Sequence, residues 1–313
     1  MSKKIGLITI WHVPNFGSVL QAYATQEIIK KLGYECVMLN YKYPNHWHYS
    51  QGRKPKSLKS VIGYIFGLTP YHRKTKKLNH FKKRFFNFSR SFANLDVMKR
   101  QDWSDYRTVA VGSDQVWNHR YTFADSTFML SFLPKDIRRI SIASSFASKS
   151  LPLDLRPKYM KNLSLFDAIS VREQNGVGIK QKTSVILDPT LLLSRDEWMS
   201  MVPRSKFVKN RKYILLYMLT YAFEPRPYIF DVLKHMSERY GYEIIALCGF
   251  TPQENAQGLI MEDRTDSDIS EFIDLFANAD MVVTSSFHGT AFAVNFGVPL
   301  ISIVPNGKND DRQ

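Results

Sequence analysis

Only two cysteines, Cys36 and Cys248, occur in the 313 residues. They stand far apart, in the strand-like runs Glu35–Leu39 and Glu243–Cys248, without metal-ligand spacing. This excludes a disulfide-stapled scaffold and reads as two buried thiols in a reducing compartment. No Asp/His/Cys cluster offers a built-in metal site, and no cofactor is expected. Seven histidines (His12, His46, His48, His72, His80, His119 and His235) show no ligand spacing. Also lacking is any apolar run near the ~20 residues of a membrane span. The apolar start Ile5–Trp11 breaks at His12 and Pro14 with no small-residue cleavage site, so it reads as a strand and not a signal peptide. The expectation is a cytoplasmic protein. There is no short repeat and no low-complexity run.

Acidic residues are scarce in one region. Between His46 and Arg100, fourteen Lys or Arg face one acid, Asp96, a local charge of +13. The whole chain carries +15, so the remainder is near neutral (15 − 13 = +2). Within this region Leu78, Phe81, Phe85, Phe88 and Phe92 recur at three and four, which predicts an amphipathic helix over Thr75–Phe92. Two readings stand side by side. The phenylalanine stripe packs on a core beneath a solvated lysine face, or the segment docks on an anionic partner: a lipid-linked saccharide at the inner face of a membrane, or an acidic polymer. No nucleic-acid module is recognisable, so nucleic acid is not an expected partner.

At 44% hydrophobic and 23% charged, the rest of the chain has a globular composition, long enough for two domains. Ile5–Ile10 predicts a strand, and Asn15-Phe-Gly-Ser18 a turn with Ser18 capping the helix that follows. That helix carries Leu20, Ala24, Ile28 and Leu32 on one face and stops at Gly33, and Glu35–Tyr41 is a second strand. Strand, helix, strand is a βαβ unit opening a doubly wound sheet. Thr108–Gly112, Ile140–Ala143 and Ala168–Val171 predict three further buried strands. Each is followed by polar residues: Ser113-Asp114-Gln115, Ser144-Ser145 and Arg172-Glu173. Val185–Thr190 reads as a domain crossing, because Pro189 biases Asp188 away from helix. The expected domains are 1–186, with a basic helical insertion at about 46–100, and 187–313. In the second, Tyr213–Met218 and Glu243–Cys248 predict strands around a helix near 227–240, and Asp268-Ile-Ser-Glu271 begins a helix as a capping box.

The stretch Met281–Ile303 is the most informative. Met281–Thr284 predicts a strand, Thr290–Phe296 a helix ended by Gly297, and Leu300–Val304 another strand. His288 and Gly289 therefore fall on a strand-to-helix turn at a strand's carboxyl end, where open α/β sheets place ligands and a helix start favours anions.

Five stretches together resemble the polysaccharide pyruvyl transferase family: Asn15-Phe-Gly-Ser-Val-Leu-Gln21, Val111-Gly-Ser-Asp-Gln-Val-Trp-Asn118, Ile169-Ser-Val-Arg-Glu173, Leu187-Asp-Pro-Thr190 and Ser285-Ser-Phe-His-Gly-Thr290. The resemblance implies two Rossmann-like domains facing a cleft, similar to the glycosyltransferase type GT-B. It implies transfer of pyruvate from phosphoenolpyruvate onto two hydroxyls of a saccharide, forming a ketal and releasing phosphate. By the same resemblance His288 is the catalytic histidine, Arg172 helps hold the donor, and Asp114 matches an acidic or polar residue after the first-domain glycine loop. Ser286, Gly289 and Thr290 join the donor-binding set, with Asn15 and Gly17 as a ligand-facing loop. Ser286 stands where relatives often have arginine, and the chain stops soon after Val304 where relatives usually continue, which implies a shortened second domain.

Each residue also has a plainer reading. His288 satisfies backbone groups at a turn; Arg172 pairs with Glu173 or across domains; Asp114 caps a helix near Gln115; Asn15 and Gly17 are turn chemistry. For the whole chain the competing functions are a nucleotide-sugar glycosyltransferase of GT-B-like fold and a non-catalytic protein binding a polyanion or membrane surface.

Overall fold

The computed structural model describes residues 4–41, 69–148, 150–174, 183–202, 211–219, 226–248 and 258–304. The tail from residue 305 and residues 46–68 of the basic segment, with His46 and His48, lie outside the described residues. The chain divides into two compact units: the first holds residues up to 53 and 82–192, the second 54–81 and 193–307. The main crossing thus falls between Leu192 and Leu193, just past the expected 186, and residues 69–81 group with the second unit.

The first unit is a seven-stranded parallel sheet, with strands β1 (Lys4–Ile8), β2 (Glu35–Tyr41), β3 (Phe88–Phe92), β4 (Thr108–Asp114), β5 (Arg138–Ser144), β6 (Ile169–Val171) and β7 (Thr183–Val185). Their spatial order is β3-β2-β1-β4-β5-β6-β7. The helices between them in the chain are α1 (Phe16–Lys31), α2 (Pro70–Phe85), whose residues 70–81 group with the second unit, α3 (Leu95–Lys99), α4 (His119–Thr122) and α5 (Arg156–Leu163). The second unit is a five-stranded parallel sheet of β8 (Tyr213–Tyr217), β9 (Glu243–Ala246), β10 (Glu262–Asp263), β11 (Met281–Thr284) and β12 (Leu300–Ser302), ordered β10-β9-β8-β11-β12. Its helices are α6 (Arg195–Met199), α7 (Tyr228–Tyr240), α8 (Ile269–Ala277) and α9 (Phe287–Phe296).

Both units share one winding: the third, second, first, fourth and fifth strands lie side by side, as in a Rossmann sheet. The order reverses between β1 and β4 in the first unit and between β8 and β11 in the second. Those four strands are sheathed by helices and read as apolar runs because water reaches neither face. All seven residues of β4 and all five of β8 are buried.

Three expectations need correction. Asn15, not Ser18, caps α1, its side chain accepting the Ser18 N–H at 3.3 Å. Of the expected apolar face of α1, Leu20 and Ala24 are buried, but Ile28 is half-buried and Leu32 exposed; burial extends also through Val19, Ala22, Gln26 and Ile29. The basic helix stops at Phe85, and Phe88 and Phe92 belong to β3. Asn87 diverts the chain: its N–H donates to Gln26 Oε1 at 3.2 Å and its carbonyl accepts the Met38 N–H at 2.7 Å. An open sheet edge thus outcompeted a three-and-four periodicity that fits a strand nearly as well.

Candidate functional site

In the first unit the carboxyl ends of β1 and β4 carry a buried polar cluster. Thr9, just past β1, donates its hydroxyl to the Ser113 carbonyl at 3.0 Å. Gln21 of α1 lies within 3.0 Å of Thr9 Oγ1 and 2.9 Å of the Ser18 carbonyl through Nε2. Ser18 donates to Asp114 Oδ2 at 3.3 Å. The capped N-terminus of α1, with Asn15, Gly17 and Ser18, therefore faces Asp114, a placement that favours a carboxylate.

Asp114 caps no helix; the next one begins at His119 with Asn118 as its cap. Instead it ends β4 with φ of 70°, a left-handed conformation unusual outside glycine, and its carbonyl accepts the N–H groups of Val116 and Ser145 at 2.8 and 2.9 Å. Gly112, two residues earlier, has φ of 110°, and a Cβ there would stand 2.3 Å from the Ile142 carbonyl oxygen. Only glycine lets β4 turn its end this way.

Arg172, just past β6, is 3% exposed at its side chain and surrounded by carboxylates. Its guanidinium reaches Asp188 Oδ2 at 3.1 Å, Asp114 Oδ1 at 3.4 Å and Glu173 Oε2 at 3.9 Å. The other groups on these acids are also engaged. Asp188 accepts from Ser113 Oγ at 2.7 Å and from Thr190 N and Oγ1 at 3.0 and 2.8 Å. Glu173 accepts from Ser145 Oγ, Phe146 N and Ala147 N at 3.0, 2.6 and 3.2 Å. Three carboxylates around one guanidinium give this end of the sheet a negative balance, suited to hydroxyl donors and poorly suited to an anion.

Asp188 was read from sequence as part of a domain crossing and not as a site residue. Its signature was nevertheless present: Asp-Pro-Thr is the pattern of a side chain capping the turn that follows, here the short helix Pro189–Leu191.

In the second unit the switch point lies between β8 and β11. His288 belongs to the first turn of α9 and not to a turn before it, because Ser286 already caps that helix. Ser286 has extended backbone, its Oγ accepts the Gly289 N–H at 3.3 Å, and its carbonyl accepts the Thr290 N–H at 2.9 Å. His288 is 7% exposed, edge-on to the Phe287 ring at 5.3 Å between centroids. Gly289 is fixed by space: a Cβ there would lie 2.2 Å from Thr284 Oγ1 and 2.9 Å from Tyr217 Cδ1. The Thr284 hydroxyl is itself bound between the Tyr217 carbonyl at 2.6 Å and the Ser286 N–H at 3.0 Å. Thr290 turns toward β12, its Oγ1 3.1 Å from Ser302 Oγ. Ser286 thus serves as the cap of α9. The N-terminus of this ten-residue helix has no acid in its first turn, so its partial positive charge favours an anion.

The structure accordingly gathers Asn15, Gly17, Asp114 and Arg172 in one unit, and Ser286, His288, Gly289 and Thr290 in the other. Two parallel doubly wound sheets, each with polar residues at its switch point, define the class: an α/β protein of GT-B-like architecture. Solved structures agree on that fold. A UDP complex of MnaA from S. aureus matches 100% of this chain and 81% of its own at 12% identity, with a TM-score of 0.56. A UDP-N-acetylglucosamine 2-epimerase described as such for Listeria monocytogenes matches 98% and 80% at 12% identity, with a TM-score of 0.57. No curated protein sequence matches the chain. The family model for polysaccharide pyruvyl transferase matches residues 15–307. The chain belongs to the polysaccharide pyruvyl transferase family.

Proposed function

We propose that this protein transfers pyruvate from phosphoenolpyruvate onto a saccharide of a cell-surface polysaccharide precursor. The observation that carries the reading is His288 in the first turn of α9, buried at the switch point of its sheet where the helix N-terminus favours an anion. The chemistry balances without a cofactor. A proton adds to the methylene carbon of the enol phosphate, which becomes the ketal methyl. Two sugar hydroxyls lose their protons as their oxygens bond to the central carbon, the C–O bond to phosphate breaks, and the second proton leaves on the phosphate.

In this reading α9 receives the phosphate, and His288 gives a proton to the methylene carbon or to the departing phosphate. The Ser286 hydroxyl proton is not used by the Gly289 bond and serves the same anion. Asp114 orients or deprotonates an acceptor hydroxyl, which suits the negative balance at its end of the sheet. Arg172, enclosed by Asp188, Asp114 and Glu173, holds Asp114 in place and acts as a positioning residue; that revises the donor-holding role its motif implied. The acceptor is a saccharide, lipid-linked or free.

Phosphate release from phosphoenolpyruvate in the presence of saccharide acceptors tests the reading. His288→Ala should lower the rate by about a hundredfold or more, the usual yield of a general acid. A His288→Ala enzyme that keeps its full rate would remove His288 from the mechanism.

A further inference from the structure

Two histidines occupy similar places in the two sheets. His288 follows β11 and His12 follows β1, each four residues past the end of a strand that flanks its own sheet's switch point. Both are buried, at 7% and 9% exposure. Each stands edge-on to the aromatic residue before it: His288 to Phe287 at 5.3 Å and 86°, His12 to Trp11 at 5.5 Å and 81°. The Trp11 ring is itself fixed. Its Nε1 donates to the Leu39 carbonyl at 3.4 Å, Phe88 packs on it at 4.7 Å, and the ammonium of the buried Lys82 lies 5.6 Å from its centroid.

The loop that carries His12 is pinned at both ends to the last two residues of β4. At one end the Thr9 hydroxyl donates to the Ser113 carbonyl at 3.0 Å, and at the other Ser18 donates to Asp114 Oδ2 at 3.3 Å. Between them Gln21 Nε2 donates to the Ile10 carbonyl at 3.2 Å, and the Asn15 N–H closes a tight turn on the Val13 carbonyl at 2.8 Å. Three chain steps from Thr9 to His12 span at most about 11 Å, so His12 shares the end of the sheet that carries Asp114. The reaction needs what this placement supplies. Two acceptor hydroxyls must each lose a proton, and Asp114 serves one of them. Imidazole titrates near neutrality and can take the other.

We propose that His12 is a second catalytic histidine, the base for one of the two acceptor hydroxyls. Asp114 takes the proton of one hydroxyl, and His12 takes that of the other as its oxygen bonds to the central carbon of the donor. One of these protons replaces the one that enters the ketal methyl, and the other leaves on the phosphate, so each group ends the cycle as it began. This role rests on the pyruvyl-transfer reading. A histidine that only packed against Trp11 would be replaceable by phenylalanine.

Phosphate release from phosphoenolpyruvate with a panel of free and lipid-linked saccharides, measured on the full chain, tests it. His12→Phe keeps an aromatic ring against Trp11 but takes no proton, and His12→Gln keeps hydrogen bonding without basicity. Both should lower kcat about a hundredfold or more, the usual yield of a general base. Calorimetric binding of phosphoenolpyruvate should be unchanged in both, unlike His288→Ala, and thermal unfolding of His12→Phe should match the parent. Either variant at the parental rate would overturn the role of His12 and leave the transfer reading standing. Loss of donor binding in both variants would also overturn it, because a base for the acceptor does not hold the donor. A parent that releases no phosphate with any of the saccharides would remove the transfer reading and this role together.

Discussion

Arg172 decides how the first unit should be understood at the scale of single residues. A guanidinium waiting for a donor anion would be removable at little cost to the fold. One enclosed by Asp114, Asp188 and Glu173 would not, because its loss strands buried carboxylates. Arg172→Ala should therefore lower stability by about 3–5 kcal/mol in chemical denaturation, and Arg172→Lys should restore only part of it, since an ammonium cannot reproduce the fork. An Arg172→Ala protein as stable as the parent would return the residue to donor binding. The cysteines give a second residue-scale prediction. Burial pushes both thiols up from their ordinary 9.0, to about 12 for Cys36 and Cys248 alike. The unfolded chain releases these protons first, so the stability is complete below pH 9 and is lost as pH rises toward 12. Denaturant midpoints should fall across that interval, and the fall should lessen in Cys36→Ala with Cys248→Ala. Neither thiol should react with a thiol reagent at pH 8 until the chain unfolds.

At the scale of elements, the start of α9 is set by three small decisions: a serine cap, a threonine hydroxyl bound to two backbone groups, and a glycine with no room for a methyl. Gly289→Ala should force α9 away from β11 and cost about 1–3 kcal/mol, readable in thermal unfolding. If the variant were fully stable, close approach would not explain the glycine. Elements were legible in the sequence wherever two signals coincided. Asp268 and Glu271 form the expected reciprocal cap of α8, and Gly297 ends α9 at φ of 68° as its position implied. They were misread where one signal stood alone. Phe88 and Phe92 kept a helical spacing, but β2 had an edge to fill and Asn87 turned the chain into it. Asn15 and Ser18 are both good capping residues, and only backbone geometry chooses between them.

For the whole molecule, the winding of both sheets followed from the alternation of apolar strands and amphipathic helices, which leaves a parallel sheet few options. The places of the candidate residues in the fold were legible as far as strand ends could be found: Asp114 and Arg172 stand at carboxyl ends of strands and His288 at the helix start beyond one. Their bonding was not legible, because the partners of Arg172 include Asp114, 58 positions away in the chain, and Asp188, 16 positions away. Nor could sequence show that residues 69–81 group with the second unit. No helix among the described residues is long and apolar enough to cross a membrane. If α9 and His288 receive phosphoenolpyruvate, calorimetric titration of the full chain with it should show saturable binding. That binding should weaken in His288→Ala, and a sugar-nucleotide control should give no heat. Saturable sugar-nucleotide binding with silence for phosphoenolpyruvate would contradict that reading.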